Sequence, residues 1–515
     1  MSRSDAIVVG AGHNGLIAAI LLAKAGWSVT VLERESEPGG AIRTAEVTLP
    51  GFRHDLYATN LNLFMGSRFF AEHGDELASH GFAVAGASKP FGSLFPDGFL
   101  GVSTDPAETR AAIEAHSPED AESWDELGAW FGKTLGTMLA VLGSPLPSAA
   151  AAKALWSERR VLRQEWAELA RLVLQSPREF AEDHFSDGQV QALVSAWGMH
   201  LDFSPEIPGG AVFPLLETFA SAQNGIALGQ GGARTMVDAL VGMLRAAGGE
   251  LRTNAEVTKV TGKHVELADG TRFDASRAVI ANVVAPVLFD KLVPHDAVPA
   301  DFRRKLARYR FAPGTMMIHL ALSELPKWTA GDHLREWCYV HLGPYIEDMS
   351  LAYTRAVAGR LPERPTLVIG QPTAIDPSRA PEGKHILWVQ VRMVPADVDW
   401  EEHKEPYADR VIDILEEYAP GLRIEGRHVM SPRDLEQSNP NLVGGDQLAG
   451  SHHPSQNFLL RPVPGWSRYR TPVDNLHMCG AGTWPGAGVG GGSGYLLGSE
   501  LARPRRRILR SPRQM

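Results

Sequence analysis

Residues 6–15 read Ala6-Ile7-Val8-Val9-Gly10-Ala11-Gly12-His13-Asn14-Gly15. Four apolar residues, three of them β-branched, predict a short strand that stops at Gly10. The Ala/Leu-rich stretch Leu16 to Lys24 continues as a helix that stops at Gly26. Ser28 to Leu32 is a second strand. Strand, glycine turn, helix and strand make the βαβ opening of a doubly wound sheet. The glycines sit where a dinucleotide fingerprint requires them. Gly10 permits the tight turn, Gly12 lets the backbone approach a pyrophosphate, and Gly15 allows close helix–strand packing while the helix N-terminus attracts the anion. Glu33 closes the second strand, 18 residues past Gly15, where a carboxylate accepts hydrogen bonds from ribose hydroxyls.

The rest of the chain bounds this reading. With 515 residues, 44% apolar and 21% charged, the composition is that of a globular protein, which excludes disorder, collagen and a disulfide scaffold. A formal charge of −10 argues against a nucleic-acid partner, since phosphate binding needs a basic surface. Two cysteines, Cys338 and Cys479, exclude a Cys-rich zinc site and suggest a reducing compartment. No run reaches the roughly 18 apolar residues of a membrane span. Even Ala6 to Ala25 is interrupted by His13, Asn14 and Lys24. Only Met1 to Asp5 precede the first apolar run, so no signal peptide is expected and a cytoplasmic home is the default.

From about Ala71 to Asn224 the pattern predicts helices. Ser117-Pro118-Glu119 is a helix start, and Trp124, Leu127, Phe131, Leu135, Met138 and Leu142 recur at helical spacing. This block reads as a cap or lid, its stripe being either core or a membrane-facing patch, with core the commoner meaning. Between Gly225 and Pro286 the α/β pattern returns: Gly229-Gln230-Gly231-Gly232 leads into a helix over 233–247, and short strands follow to Ala281. In 385–393 alternation puts Leu387, Val389, Val391 and Met393 on one face, while Val411, Ile414, Leu415 and Tyr418 keep helical spacing. Arg505-Arg506-Arg507 and further arginines make residues 504–515 a basic, disordered tail with at most weak attraction to an anionic membrane.

Two further glycine clusters separate a flavin dinucleotide from a nicotinamide one. Pro38-Gly39-Gly40, followed by Arg43-Thr44, lies just past the ribose carboxylate, where open backbone and a guanidinium suit the second half of a long dinucleotide. Cys479-Gly480-Ala481-Gly482-Thr483-Trp484-Pro485-Gly486-Ala487-Gly488-Val489 follows the strand Leu476-His477-Met478 and feeds a final helix. Its backbone N–H groups suit the flavin pyrimidine edge, where negative charge develops on reduction. Sixteen of the 52 glycines fall within residues 10–51 and 480–498. They mark two ends of one cofactor site.

On VVGAGHNGL, LERESEPGGAIRT, GQGGARTMVDAL and LHMCGAGTWPGAGVGGGSG, the chain resembles the phytoene desaturase-like flavoproteins of the amine-oxidase superfamily, in particular the pyridine nucleotide-disulphide oxidoreductase domain 2 branch. The resemblance is weak over about 90–215. It implies an α/β protein with a Rossmann-like FAD-binding domain, discontinuous in the manner of GDP-dissociation inhibitors and amine oxidases, beside a mixed-sheet substrate domain with a helical lid. Residues 1–70, 225–290 and 431–503 would form the first, and 71–224 and 291–430 the second. It further implies non-covalent FAD, with Gly10, Gly12 and Gly15 at the pyrophosphate, Glu33 at the adenosine ribose, and Gly39, Gly40 and Arg43 at the phosphate or ribityl region. Val257 would pair its backbone with adenine, and Gly482, Gly488 and Val489 would border the flavin ring.

A hydride acceptor leaves the protein to orient substrate, exclude water and supply at most one base. Gly444-Gly445-Asp446 to His452-His453-Pro454-Ser455-Gln456, then Arg461-Pro462, precedes the C-terminal strand and is a candidate for the substrate side. His452 and His453 are the candidate bases, against a plain reading as polar loop histidines. His13 reads as a turn residue, and Trp484 and Tyr495 either flank a substrate or simply pack. Gly229 to Gly232 lacks a convincing preceding strand, so no NAD(P)H site is expected, and oxygen or a quinone would reoxidise the flavin. The expected function is dehydrogenation of an apolar or mixed, lipid-like small molecule. C–N oxidation and a non-catalytic lipid-binding role stand as the alternatives.

Overall fold

The computed structural model describes residues 2–342 and 345–503. Among them two seven-stranded sheets organise the chain. In the first, strand Ser2–Val9 lies parallel between Arg272–Ala281 and Val29–Leu32, Glu250–Arg252 extends the edge, and Leu476–Met478 pairs with Arg272–Ala281. Ala6 to Val9 and Val29 to Leu32 are buried throughout, because helices cover both faces of this sheet. Helices His13–Lys24, Arg234–Ala246 and Gly492–Ala502 pack on one face, and the segment carrying Ala285, Leu288, Phe289 and Phe302 packs on the other. The last helix, which starts more than 470 residues after the first does, thus packs on it, and the last strand joins the same sheet through Arg272–Ala281.

The second sheet runs Ile424–Met430, Gly314–Leu322, His385–Val394, Thr366–Gly370, Tyr339–Leu342, Phe91–Phe95, Gly98–Val102. Neighbours are antiparallel except Tyr339–Leu342 with Phe91–Phe95. Helix Trp400–Tyr418 seals one face through Val411, Ile414, Leu415 and Tyr418. Toward the other face project Phe91, Tyr339, Trp388, Met317 and Met430. Helix Gly188–Ser195, the turn Ala196–Leu201 and helix Ile346–Val357 pack on this face, with Trp197 5.0 Å from Phe91 between ring centroids, and helices Pro118–Leu142 and Val212–Asn224 extend the same core.

Three expectations change. The block 71–224 is not wholly helical: Phe91–Phe95 and Gly98–Val102 form a hairpin that joins the second sheet, turning at Pro96-Asp97-Gly98, a sequence built for a tight turn. Met393 leaves its predicted face, because its φ of +57° and a register shift opposite Gly314 make a bulge that hands its place to Val394. Gly229 does follow a strand, Ile226–Gly229. That strand pairs antiparallel with Val84–Ala87 in a separate ribbon, so it builds no second nucleotide fold.

Helix Pro118–Leu142 starts where expected, with Ser117 Oγ accepting the N–H of Asp120. Trp124, Leu127, Phe131 and Met138 are buried, with Trp124 and Phe131 against Phe219 at 4.9 and 5.7 Å between ring centroids. Core is therefore the correct reading of this stripe, each buried ring worth roughly 2–3 kcal/mol. The basic tail and Pro504 lie outside the described residues.

Candidate functional site

The first strand delivers the chain into the turn Gly10–Gly15, held by Gly10 N–H donating to Leu32 O at 2.8 Å. A Cβ on Gly15 would collide with the carbonyl of Gly10, so only glycine lets the helix start this close to the strand. Gly12 is the N-cap of helix His13–Lys24. No side chain caps this helix and its first turn holds no acid. Its positive end is left for an anion. Gly39 N–H donates to Ala11 O at 3.0 Å, and the 38–40 turn closes over Gly12 so that a Cβ on Gly40 would sit 3.4 Å from Gly12 Cα. The backbone cradle is built from both glycine clusters.

Glu33 is buried, and its oxygens accept from Ala11 N–H at 2.8 Å and Glu35 N–H at 3.0 Å. Burial raises its pKa while those two bonds oppose the rise. Two of about four acceptor directions remain for ribose hydroxyls. Asn254 and Ala255 donate to the carbonyls of Glu35 and Glu33. This carries the chain to Val257, which is buried on strand Val257–Val260 opposite Leu267.

The C-terminal turn meets this cradle from the other side. Helix Gly492–Ala502 also lacks a side-chain cap and packs on helix His13–Lys24 so closely that a Cβ on Gly494 would strike the Asn14 carbonyl. Asn14 Oδ1 accepts from Gly494 N–H at 3.1 Å, and Asn14 Nδ2 donates to His13 Nε2 at 2.8 Å. His13 is therefore neutral, its pKa pushed down to about 4 by burial, and it serves the turn. Asn282, which no sequence signal marked, lies among Gly10, Gly12, Gly15 and Gly480. Gly482 faces Val284, and Gly488 and Gly490 face Leu63. Val489 is buried in the same core as the first helix. Trp484 is a packed wall, its Nε1 donating to Ser144 O at 2.9 Å and its ring beside Phe458. Tyr495 instead reaches Glu72 at the surface.

Do these residues fit FAD? Arg43 Nε is buried without a hydrogen-bond partner, next to a cradle lined by glycine and two uncapped helix ends. An anionic, elongated dinucleotide supplies what all three lack. The donor set fits.

Segment 444–461 packs against the C-terminal turn and is held by two buried charges. Arg461 donates to the carbonyls of Leu448, Ala449, Gly450, Ser451 and Ala481. Asp446 accepts from the N–H groups of Ala312, Leu448 and Gly450, and burial pushes its pKa up to about 6. The two candidate bases part company here. His452 is buried, its Nε2 accepts from Ala487 N–H at 2.9 Å, and burial followed by Arg461 drives its pKa well down. His453 is half-buried. Its Nε2 donates to the Asp202 carbonyl at 2.7 Å, 3.3 Å from the Asp202 carboxylate, which leaves Nδ1 as the proton-accepting nitrogen of the neutral ring. Asp202 also accepts from Tyr353 at 3.0 Å, and burial raises its pKa.

Beyond this segment lies the aromatic face of the second sheet. Trp388 Nε1 donates to Tyr57 O at 3.0 Å, tying that face to the chain just past Arg43. Polar groups interrupt it: Ser93, His341 and Gln390 share one row across the strands, and Gln390 Nε2 donates to Gln447 Oε1 at 2.8 Å. Both nitrogens of His341 are buried without partners, and burial pushes its pKa down to about 4.

Comparison with known proteins agrees with this architecture. Residues 15–492 match the family described as flavin containing amine oxidoreductase. The chain is 28% identical to the pyridine nucleotide-disulfide oxidoreductase domain-containing protein 2 of Rattus norvegicus, the alignment covering 95% of this chain and 92% of that protein. It is also 28% identical to a neurosporene-forming phytoene desaturase of Rhodobacter capsulatus, with 96% and 93% covered. The fold is shared with an oxidoreductase from Methanosarcina mazei at a TM-score of 0.62 and 17% identity, covering 97% of this chain and 100% of that one.

Proposed function

The chain belongs to the flavin-containing amine oxidoreductase family and is a FAD-dependent oxidoreductase, and we propose that it dehydrogenates an apolar or mixed, lipid-like small molecule at a C–H bond. The observation that carries this reading is the buried face of Phe91, Tyr339, Trp388, Met317 and Met430, tied through Trp388 to the chain just past Arg43, with Ser93, His319, His341, Gln390 and Arg392 as its polar points. Such a surface suits a largely hydrocarbon substrate with a polar group. Under this reading residues 1–70, 225–290 and 431–503 form the cofactor domain and 71–224 with 291–430 the substrate domain.

Bound in the cradle, FAD supplies a two-electron acceptor for the substrate hydride. The uncapped N-termini of helices His13–Lys24 and Gly492–Ala502 would hold its phosphates and the pyrimidine edge of the flavin. Gly10, Gly12, Gly15, Gly39 and Gly40 would give the backbone room, Arg43 would offer its free Nε, Glu33 would accept from ribose, and Gly482, Gly488 and Val489 would border the ring. Val257 lies where an adenine would meet backbone. Both cysteines are buried in apolar cores, which favours non-covalent attachment. Of the two histidines, His453 has the free Nδ1 and an acid partner in Asp202, so it is the proton acceptor in this reading. His452 orients the Ala487 turn.

The turn at Gly229–Gly232 feeds Gly231 N–H to Asp376 and packs Gly232 on Thr44, which leaves no second dinucleotide cradle there and favours oxygen or a quinone-like acceptor. Anaerobic titration of the yellow protein with isoprenoids, amines and alcohols tests the proposal. Flavin bleaching by isoprenoids is expected. Bleaching by amines alone replaces the reading with C–N oxidation, saturable reduction by NADPH overturns the acceptor, and a protein colourless even after added FAD is a binding protein instead.

A further inference from the structure

The largest exposed aromatic surface lies on two consecutive lid helices, Ala149–Ser157 and Arg159–Leu174. Trp156 and Trp166 are 70% and 66% exposed, and Leu174 is 72% exposed. On a helix of 3.6 residues per turn, Arg159, Arg163, Trp166, Ala170 and Val173 fall on one side. A shallow open groove lined by Leu155, Trp156, Arg159, Leu162, Arg163 and Trp166 runs between the helices. This is not the stripe of helix Pro118–Leu142, which the core consumes.

The charge on this face is one-sided in a chain of net −10. Lys153, Arg159 and Arg163, with Arg160 at the margin of the face, are exposed, and among the described residues none of the four forms an ion pair. Arg159 lies over the Trp156 ring at 5.5 Å. The acids of the second helix turn elsewhere: Glu165 accepts from Trp130 and pairs with Lys133 on the neighbouring helix, and Glu168 falls on the opposite side. Exposed tryptophans flanked by unpaired cations and aliphatic side chains combine the two attractions that hold a helix at a membrane interface. The rings enter the headgroup boundary and the cations meet anionic lipid.

We propose that this pair of helices docks the protein on the surface of an anionic phospholipid bilayer. Its place in the fold gives the docking a purpose. The chain entering the pair passes Ser144, whose carbonyl accepts from Trp484 in the C-terminal turn. The chain leaving it is held where Gly209 N–H donates to Leu174 and Gln175, and Gly209 packs on Pro454, one residue past His453. Both ends of the surface are thus fastened to the walls of the candidate site. With the lipid-like substrate of the proposed function, on which this purpose rests, a bilayer on this face meets a surface tied at both ends to the segments that wall the candidate site.

The test is co-sedimentation of the full-length, FAD-loaded protein with vesicles of phosphatidylcholine alone or with roughly a third phosphatidylglycerol. Binding is expected to the mixed vesicles only, to weaken with salt, and to bring quenching of tryptophan fluorescence by brominated acyl chains. Replacing Arg159, Arg160 and Arg163 together by Gln is expected to weaken partitioning on the order of a hundredfold. Trp156→Ala with Trp166→Ala should abolish the quenching, and both variants should keep the flavin spectrum, since the side chains are exposed. Partitioning unchanged in both variants overturns the proposal, as does equal binding to neutral vesicles. A dimer in sedimentation velocity that these substitutions dissociate, without lipid binding, assigns the face to a second copy of the chain and overturns it too.

Discussion

The imidazole Nε2 of His452 accepts a hydrogen bond from the backbone N–H of Ala487 at 2.9 Å, joining the 444–461 segment to the glycine turn before the last helix. Because the N–H is the donor, the bond needs His452 neutral, which its burial enforces. His452→Ala leaves the part-buried N–H of Ala487 without its partner and should lower stability by about 1 kcal/mol while weakening FAD binding. His452→Gln, which restores an acceptor, should recover part of both. Thermal melts and FAD titration check this, and equal losses in the two variants would argue against the hydrogen bond as the cause.

His453 should behave differently. His453→Ala leaves the Ala487 turn intact, so FAD is retained, while substrate reduction of the flavin slows by about 10²–10⁴-fold if Nδ1 takes the proton. Stopped-flow reduction at saturating substrate measures it. A wild-type rate removes His453 from the chemistry.

Two glycines of one motif should fail for different reasons. Gly15→Ala places a Cβ on the Gly10 carbonyl and should prevent folding of the first βαβ unit. Gly12→Ala meets only the end of the Asn282 side chain, 2.8 Å away, which can move. It should give a folded protein, normal by circular dichroism, that purifies with little FAD.

Glu217 supplies a pH signature. It is buried on helix Val212–Asn224, and burial alone pushes its carboxyl up to about 7. A carboxyl raised on folding favours the native state below its unfolded pKa near 4.5, and that contribution is lost as pH rises through 7. Glu217→Gln should therefore raise the melting temperature at pH 8 by an amount equivalent to about 3 kcal/mol, and change little at pH 5. Calorimetry at the two pH values decides it.

Arg379 is fully buried between Asp55 and Asp376, at 2.5 and 3.2 Å, and donates to Gly229 O at 2.7 Å. It ties Asp55, on the short strand pair Thr44–Ala45 with His54–Asp55, to the Gly229 turn and to Asp376 just past strand Thr366–Gly370. Arg379→Met should cost about 3–5 kcal/mol, since two carboxylates are left buried and unpaired. Denaturant unfolding measures it.

How much of this was readable in advance follows from sequence distance. Gly10–Gly15, Glu33 and the 479–494 turn stand out because each is a local pattern of adjoining residues, legible without knowing what lies across the fold. The Phe91–Val102 hairpin fell inside the stretch read as helical, because short strands amid helical stretches carry little periodic signal even with Pro96-Asp97-Gly98 at the turn. Met393 left its face through a bulge that no alternation rule contains. Asp202 and His453 stand 251 residues apart, and nothing near either names the other.

The sequence by itself determined the first strand–helix–strand unit: a strand ending in glycine, a helix opened by Gly12 and a second strand closed by an acid are legible within a few turns of chain. Only the tertiary structure decided the rest. It brought Asn282 and Gly494 against the first helix, gave His452 to the Ala487 turn and His453 to Asp202, and buried the stripe of Trp124 and Phe131. It also left Trp156, Trp166 and the arginines beside them facing out. Periodicity says that a face is apolar, and only packing says what covers it.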